Sequence, residues 1–126
     1  MHNIFITGIA GFIGFHLAEK LTLEGYEVSG LDNFNDYYDT KLKDDRAKIL
    51  LAEYGIKIHN LDLKDVHWES LHLENYDAVI HLAAYAGVRH SLENPQMYID
   101  NNITGTQRLI QELEEIRDIP VIYASS

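Results

Sequence analysis

Near its start the chain reads TGIAGFIGFHL, with glycine at positions 8, 11 and 14. The spacing is glycine, two residues, glycine, two residues, glycine, not the tighter GxGxxG, but the physical demands are similar. Gly8 can take the backbone angles of a sharp strand-to-helix bend. Gly11, lacking a side chain, lets a pyrophosphate approach the main chain, and Gly14 lets the helix lie close on a sheet. Free N–H groups and the dipole at the helix start favour an anion there. Eighteen residues beyond Gly14 stands Asp32, at the end of the next strand-like run. That is close to the spacing at which an acid accepts hydrogen bonds from adenosine ribose hydroxyls. A glycine triplet also arises by chance in turns, and a lone acid at a strand end is often merely solvated. Together the two read as a dinucleotide site. A carboxylate there repels a 2′-phosphate, and Lys20 is the only Lys or Arg up to Asp32, so NAD is favoured over NADP.

These residues need elements to hold them. Asn3–Thr7 (NIFIT) predicts a buried strand, and Ile13, Leu17 and Leu21 recur every four residues, as one helix face does, with Gly25 at its end. Glu27–Leu31 predicts a second strand. Lys41 to Tyr54 predicts a charged helix with Ile49, Leu50 and Leu51 in its second half, closed by Gly55. A third strand is expected over Ile56–Asn60 and a short helix over Val66–Leu73. Ala78–Leu82 (AVIHL) is nearly all apolar, as in a strand covered on both faces. A long helix starts near Pro95, with Ile99, Ile103, Ile110 and Leu113 at helical spacing, and Val121–Ala124 is a fifth strand. The alternation predicts an α/β fold: a Rossmann-type doubly wound parallel sheet, five strands in order 3-2-1-4-5, with right-handed crossovers. Residues 1–126 form one dinucleotide-binding unit, with no linker or repeat.

Composition bounds the partners. Twenty acids against 10 bases give a net charge of −10, which opposes nucleic acid and anionic membrane surfaces. There is no cysteine, so disulfides and thiolate metal sites are excluded and a cytoplasmic location is expected. Met1 to Ala18 holds no charged Asp, Glu, Lys or Arg, yet no basic segment precedes it and three glycines interrupt it. It reads as folded structure and not as a leader. The seven histidines show no metal-ligand pattern, and His81, inside an apolar strand, reads as a satisfied core residue.

With a dinucleotide site in place, LDNFNDYYDTKLK (Leu31–Lys43), HLAAYAGVRHSLENP (His81–Pro95) and the terminal YASS become informative. They resemble the extended short-chain dehydrogenase/reductase family, the NAD-dependent epimerase/dehydratases of nucleotide sugars. The Asn-Asp-Tyr-Tyr-Asp run and AGVRHSLENP look most like the UDP-glucuronate 4-epimerases. Two stretches depart from them: Tyr85 stands where those relatives usually carry glutamine, and NITGTQRLIQ follows the general family pattern.

The resemblance implies roles. Gly8, Gly11, Phe12, Ile13 and Gly14 line the pyrophosphate turn, Asp32 and Asn33 the adenosine ribose, and Asp62 and Leu63 the adenine. Leu82, Ala83, Ala84 and Ala86 lie under the nicotinamide half, with Asn102 turned toward the fourth and fifth strands. Val88, Arg89 and Ser91 fall where a nucleotide sugar enters, although Arg89 also has Glu93 at ion-pair spacing. Tyr37 and Tyr38 either cover the cofactor or fill a loop. Ser125 lies against the cofactor, and Ser126 takes the Ser/Thr place of the catalytic triad. The triad's Tyr-x-x-x-Lys segment belongs well downstream. The one match in these 126 residues, Tyr37 to Lys41, sits on the adenosine side and reads as chance. The chain is therefore expected to be the N-terminal part of an enzyme without its sugar-binding lobe, inactive alone and prone to dimerise or self-associate. The alternatives are another nucleotide-sugar 4-epimerase, a 4,6-dehydratase, or a non-catalytic NAD-binding module on the same fold.

Overall fold

β1 (Asn3–Thr7) is central because it is apolar on one face and closed on the other. Ile4 and Ile6 join one core cluster, Phe5 the opposite one, and all three are buried together with Thr7. The computed structural model describes residues 2–34, 40–62, 66–83, 92–93, 95–115 and 118–123. In it β1 is flanked by β2 (Glu27–Asp32) and β4 (Ala78–His81), with β3 (Ile58–Asn60) and β5 (Val121–Tyr123) at the edges. Every pairing is parallel and the order is β3-β2-β1-β4-β5, as the alternation predicts.

Helices α1 (Phe12–Leu23) and α2 (Thr40–Tyr54) supply Phe15, Ala18 and Leu50 to the Ile4–Ile6–Ile80 face. The other face is covered by two 3-10 turns (Trp68–Leu71 and Leu73–Asn75) and by α4 (Gly105–Glu114), through Trp68, Leu73 and Leu109. Each large side chain buried in this way contributes about 1.5–3 kcal/mol.

Three expectations change. Val66–Leu73 is not one helix, because His72 sits in the left-handed region (φ 53°), which a right-handed helix cannot pass through. The α1 face turned to the sheet is Gly14, Phe15 and Ala18, with Leu17 and Leu21 half-buried, while Ile13 is exposed at the helix start. The long helix begins as α3 (Pro95–Tyr98), widens into a π-helical segment over Ile99–Thr104, and continues as α4. Extra residues per turn rotate the downstream face. Leu109 and Leu113 meet the sheet, while Ile99, Ile103 and Ile110 are exposed.

A polar row crosses the sheet where Thr7, His81 and Tyr123 are in register. Thr7 Oγ1 accepts the amides of Leu82 (3.0 Å) and Ala83 (3.1 Å). With both lone pairs used, its O–H donates to His81 Nδ1 at 2.6 Å. His81 Nε2 is then the protonated nitrogen and donates to Thr106 Oγ1 on α4 at 2.9 Å. The ring stacks on Tyr123 (centroids 5.5 Å apart), so His81 is the satisfied core histidine that its apolar strand predicts.

Burial pushes the His81 pKa down to about 4. Protonation puts a second N–H against Thr7, whose oxygen has no acceptor capacity left. Stability from this site is complete above the ordinary histidine value near 6.5 and is lost as pH falls toward 4. The loss amounts to at most about 3 kcal/mol. Urea unfolding between pH 4 and 7 is expected to show that slope in the unaltered chain. A His81→Gln chain should be weaker at pH 7 and lack that part of the slope; parallel curves would contradict the assignment.

Candidate dinucleotide site

The bend between β1 and α1 is tied to its surroundings by main-chain bonds. The amides of Gly8 and Ile9 both donate to the Leu31 carbonyl of β2, at 2.9 and 3.2 Å, and Gly11 donates back to Gly8 at 3.1 Å. Gly8 has φ +75°, and a Cβ there would lie 2.8 Å from the Ala83 nitrogen. A Cβ on Gly14 would strike the Gly8 carbonyl and lie 2.9 Å from Ile9 Cα. So Gly8 seats the end of β4 against the bend, and Gly14 lets α1 close over it.

Gly11 is the N-cap of α1, no side chain caps the helix, and no acid occupies its first turn. The N–H groups of Phe12, Ile13 and Gly14 lie ahead of any i−4 carbonyl, so this end is an anion-attracting one. The Phe12 and Ile13 side chains are exposed around it.

Asp32 closes the other side. It is 2% exposed, yet its carboxylate accepts three hydrogen bonds. Oδ2 accepts the Ala10 amide at 3.0 Å, and Oδ1 accepts the Phe34 amide and Lys43 Nζ, both at 2.9 Å. A carboxylate offers about four acceptor positions, so one remains for an incoming hydroxyl. The glycine bend and the acid, separate signals in the sequence, are thus joined by one hydrogen bond through Ala10. Beside them Asn33 Nδ2 donates to Asp62 Oδ2 at 3.2 Å, linking the ends of β2 and β3.

Lys43 is a residue that the sequence reading missed. Its side chain is 11% exposed and its ion pair with Asp32 is buried. Removing either partner of such a pair costs about 3–5 kcal/mol, because the other charge is left uncompensated. The count of cations in the sequence stopped at the acid, and this one comes from α2 beyond it. One turn on, Arg46 Nη1 donates to the Ala10 carbonyl at 3.1 Å and the guanidinium lies 5.9 Å from the Phe12 ring centre. The signal was available, since Lys43, Arg46, Leu50 and Tyr54 fall on one side of a helix, where two cations at inward positions require partners.

The structure brings together Gly8, Gly11, Phe12, Ile13, Gly14, Asp32, Leu82 and Ala83, with Asn33 and Asp62 adjoining. Asn102 lies in the π-helical segment, one turn before the Thr106 that is bonded to His81. Leu63, Ala84, Ala86, Val88, Arg89, Ser91, Ser125 and Ser126, with Tyr37 and Tyr38, lie outside the described residues. Among the described residues no group of three or more His, Asp or Glu is placed to hold a metal ion, and no helix is long and apolar enough to cross a membrane.

The arrangement has the parts a dinucleotide needs: a side-chain-free bend, an uncapped helix start and a carboxylate with one acceptor position left. The chain is also similar to known proteins. The chain is 43% identical over 128 residues to the UDP-glucuronate 4-epimerase of Thermodesulfobacterium geofontis, covering 100% of this chain and 40% of that protein. It is 41% identical over 127 residues to UDP-glucuronate 4-epimerase 4 of Arabidopsis thaliana, covering 98% and 29%. Among solved structures, UDP-glucuronic acid 4-epimerase from Bacillus cereus, in complex with UDP-glucuronic acid and NAD, superposes with a TM-score of 0.89 at 34% identity. That match covers 98% of this chain and 40% of the other. The chain thus spans 40% or less of the length of these relatives. The profile of the NAD dependent epimerase/dehydratase family matches residues 4–126, which take in the bend, the acid and all five strands, and the chain belongs to that family.

Proposed function

We propose that these residues form the NAD-binding part of a nucleotide-sugar epimerase that acts on UDP-glucuronate at C4. The observation that carries the reading is the hydrogen bond from the Ala10 amide to Asp32, which holds the pyrophosphate bend and the ribose acid as one surface. In this reading Gly8, Gly11 and Gly14 clear the backbone for the pyrophosphate, and the Phe12, Ile13 and Gly14 amides face its charge. Asp32 accepts a ribose hydroxyl with Asn33 beside it, and Asp62 and Leu63 border the adenine. Leu82, Ala83, Ala84 and Ala86, with Asn102 and Ser125, border the nicotinamide half. NAD, when bound, supplies a hydride acceptor at the sugar carbon and returns the hydride, so it is regenerated.

Ser126 takes the triad serine's role, holding a hydroxyl hydrogen bond to the sugar 4-oxygen while a tyrosine outside these 126 residues removes the proton. Val88, Arg89 and Ser91 border the sugar nucleotide, where a guanidinium suits a diphosphate or a sugar carboxylate. The lack of cysteine suits the cytoplasm, where this reading places the protein.

Gly11 separates ligand binding from folding. Its φ is −72°, which any residue adopts, and a Cβ there meets only the Gly8 carbonyl, at 3.2 Å. Gly11→Ala is expected to keep the melting temperature within a few degrees while weakening NAD binding at least about tenfold in calorimetry. Equal affinities would contradict the pyrophosphate placement. The 126-residue chain incubated with NAD and UDP-glucuronate is expected to form no 4-epimer, because the proton-abstracting tyrosine is not among its residues; turnover at an enzymatic rate would overturn that. At the sheet edge Val121, Ile122 and Tyr123 are 44%, 58% and 58% exposed. Light scattering should therefore show self-association that Ile122→Lys reduces. A monomer at high concentration would count against it.

A further inference from the structure

The inward side of α2 is unusual. A helix packed on a sheet normally turns apolar residues inward. Here the positions nearest the dinucleotide site are Lys43 and Arg46, with Leu50, buried in the core, one turn later. Lys43 is matched by Asp32. Among the described residues Arg46 meets no carboxylate: its contacts are the Ala10 carbonyl and the Phe12 ring. Ala10 and Asp32 are bonded to each other, so Lys43, Asp32, Ala10 and Arg46 form one contiguous chain of contacts. Two cations three residues apart on a helix thus flank the Asp32–Ala10 link, Lys43 on the carboxylate itself and Arg46 on the Ala10 carbonyl.

We infer that Lys43 and Arg46 constitute a latent phosphate site, in which the Asp32 carboxylate stands where a ribose 2′-phosphate would otherwise bind. Asp32 then excludes NADP by occupying Lys43, one of the two cations its phosphate would need, and not only by repulsion. Lys43 offers a compact ammonium and Arg46 a guanidinium with donors to spare, the combination that suits a phosphate monoester. Exchange of the carboxylate for a small neutral residue releases Lys43 and turns the pocket toward a 2′-phosphate. The inference rests on the dinucleotide site proposed above and assigns its specificity to residues of α2.

The test uses ADP-ribose and its 2′-phosphate as probes, measured by titration calorimetry on the 126-residue chain, so no redox turnover is needed. The unaltered chain is expected to prefer ADP-ribose. Asp32→Ser should reverse the order, with affinity for the 2′-phosphate probe rising at least about tenfold, as one new charge-assisted contact allows. Adding Arg46→Gln or Lys43→Gln to Asp32→Ser should remove that gain. Asp32→Asn, which keeps the shape and one acceptor oxygen, is the companion if the serine variant does not fold. Arg46→Gln with Asp32 intact gives a reading that depends on neither. It should weaken the 2′-phosphate probe more than ADP-ribose.

A chain that binds ADP-ribose but shows no gain in either Asp32 variant, or loses both probes equally on Arg46→Gln, overturns the latent site and leaves the dinucleotide site standing. An unaltered chain that binds neither probe overturns both.

Discussion

The buried carboxylate of Asp32 is the constraint on which the rest of this structure depends. It closes the bend after β1 through the Ala10 amide, sets the exit of β2 through the Phe34 amide, and anchors α2 through Lys43. A charge that is 2% exposed is tolerable only when it is compensated, and three donors from three segments, one of them the Lys43 ammonium, compensate it while leaving one acceptor position open. In the proposed function the group that stabilises the corner also reads the ribose, so folding and recognition share one residue. An acidic protein with net charge −10 can hold an anionic cofactor because the local field at this corner, an uncapped helix start with the Arg46 guanidinium beside it, opposes the global one.

Below that corner lies a second polar element, of a different kind. Thr7, the residue before the first glycine, holds the amides of Leu82 and Ala83 and fixes the tautomer of His81. His81 carries the link across to α4 through Thr106, just beyond the π-helical segment that contains Asn102. The end of β4 is thereby locked both to the glycine bend and to the helix on the opposite face. Positions at the tip of β4 are thus set by hydrogen bonds from the neighbouring strand. In energetic terms this is a fully satisfied buried network, which favours one geometry over near alternatives.

Much of this was legible in the sequence, and the reasons differ by element. The strands and their order follow from short apolar runs alternating with helical periods, and that pattern survives because both faces of the sheet are covered. The pairing of Gly8–Gly14 with Asp32 was legible because one spacing reports on a local turn and the other on a strand length. What was not legible came from through-space partners and local backbone exceptions. Lys43 reaches Asp32 from the next helix, and counting cations only as far as the acid could not find it. The left-handed His72 splits a helical run that periodicity alone joins. The π-helical turn at Ile99–Thr104 interrupts a run that apolar spacing alone joins into one helix, and Ile99, Ile103 and Ile110 are exposed.

The most direct measurement is a crystal structure of this chain with NAD bound. The account predicts the pyrophosphate against the amides of residues 12–14, with no side chain between, and an adenosine ribose hydroxyl on Asp32 while Ala10, Phe34 and Lys43 keep their bonds to it. A cofactor bound elsewhere, or a ribose turned away from Asp32 with the bend closed against phosphate, would contradict it.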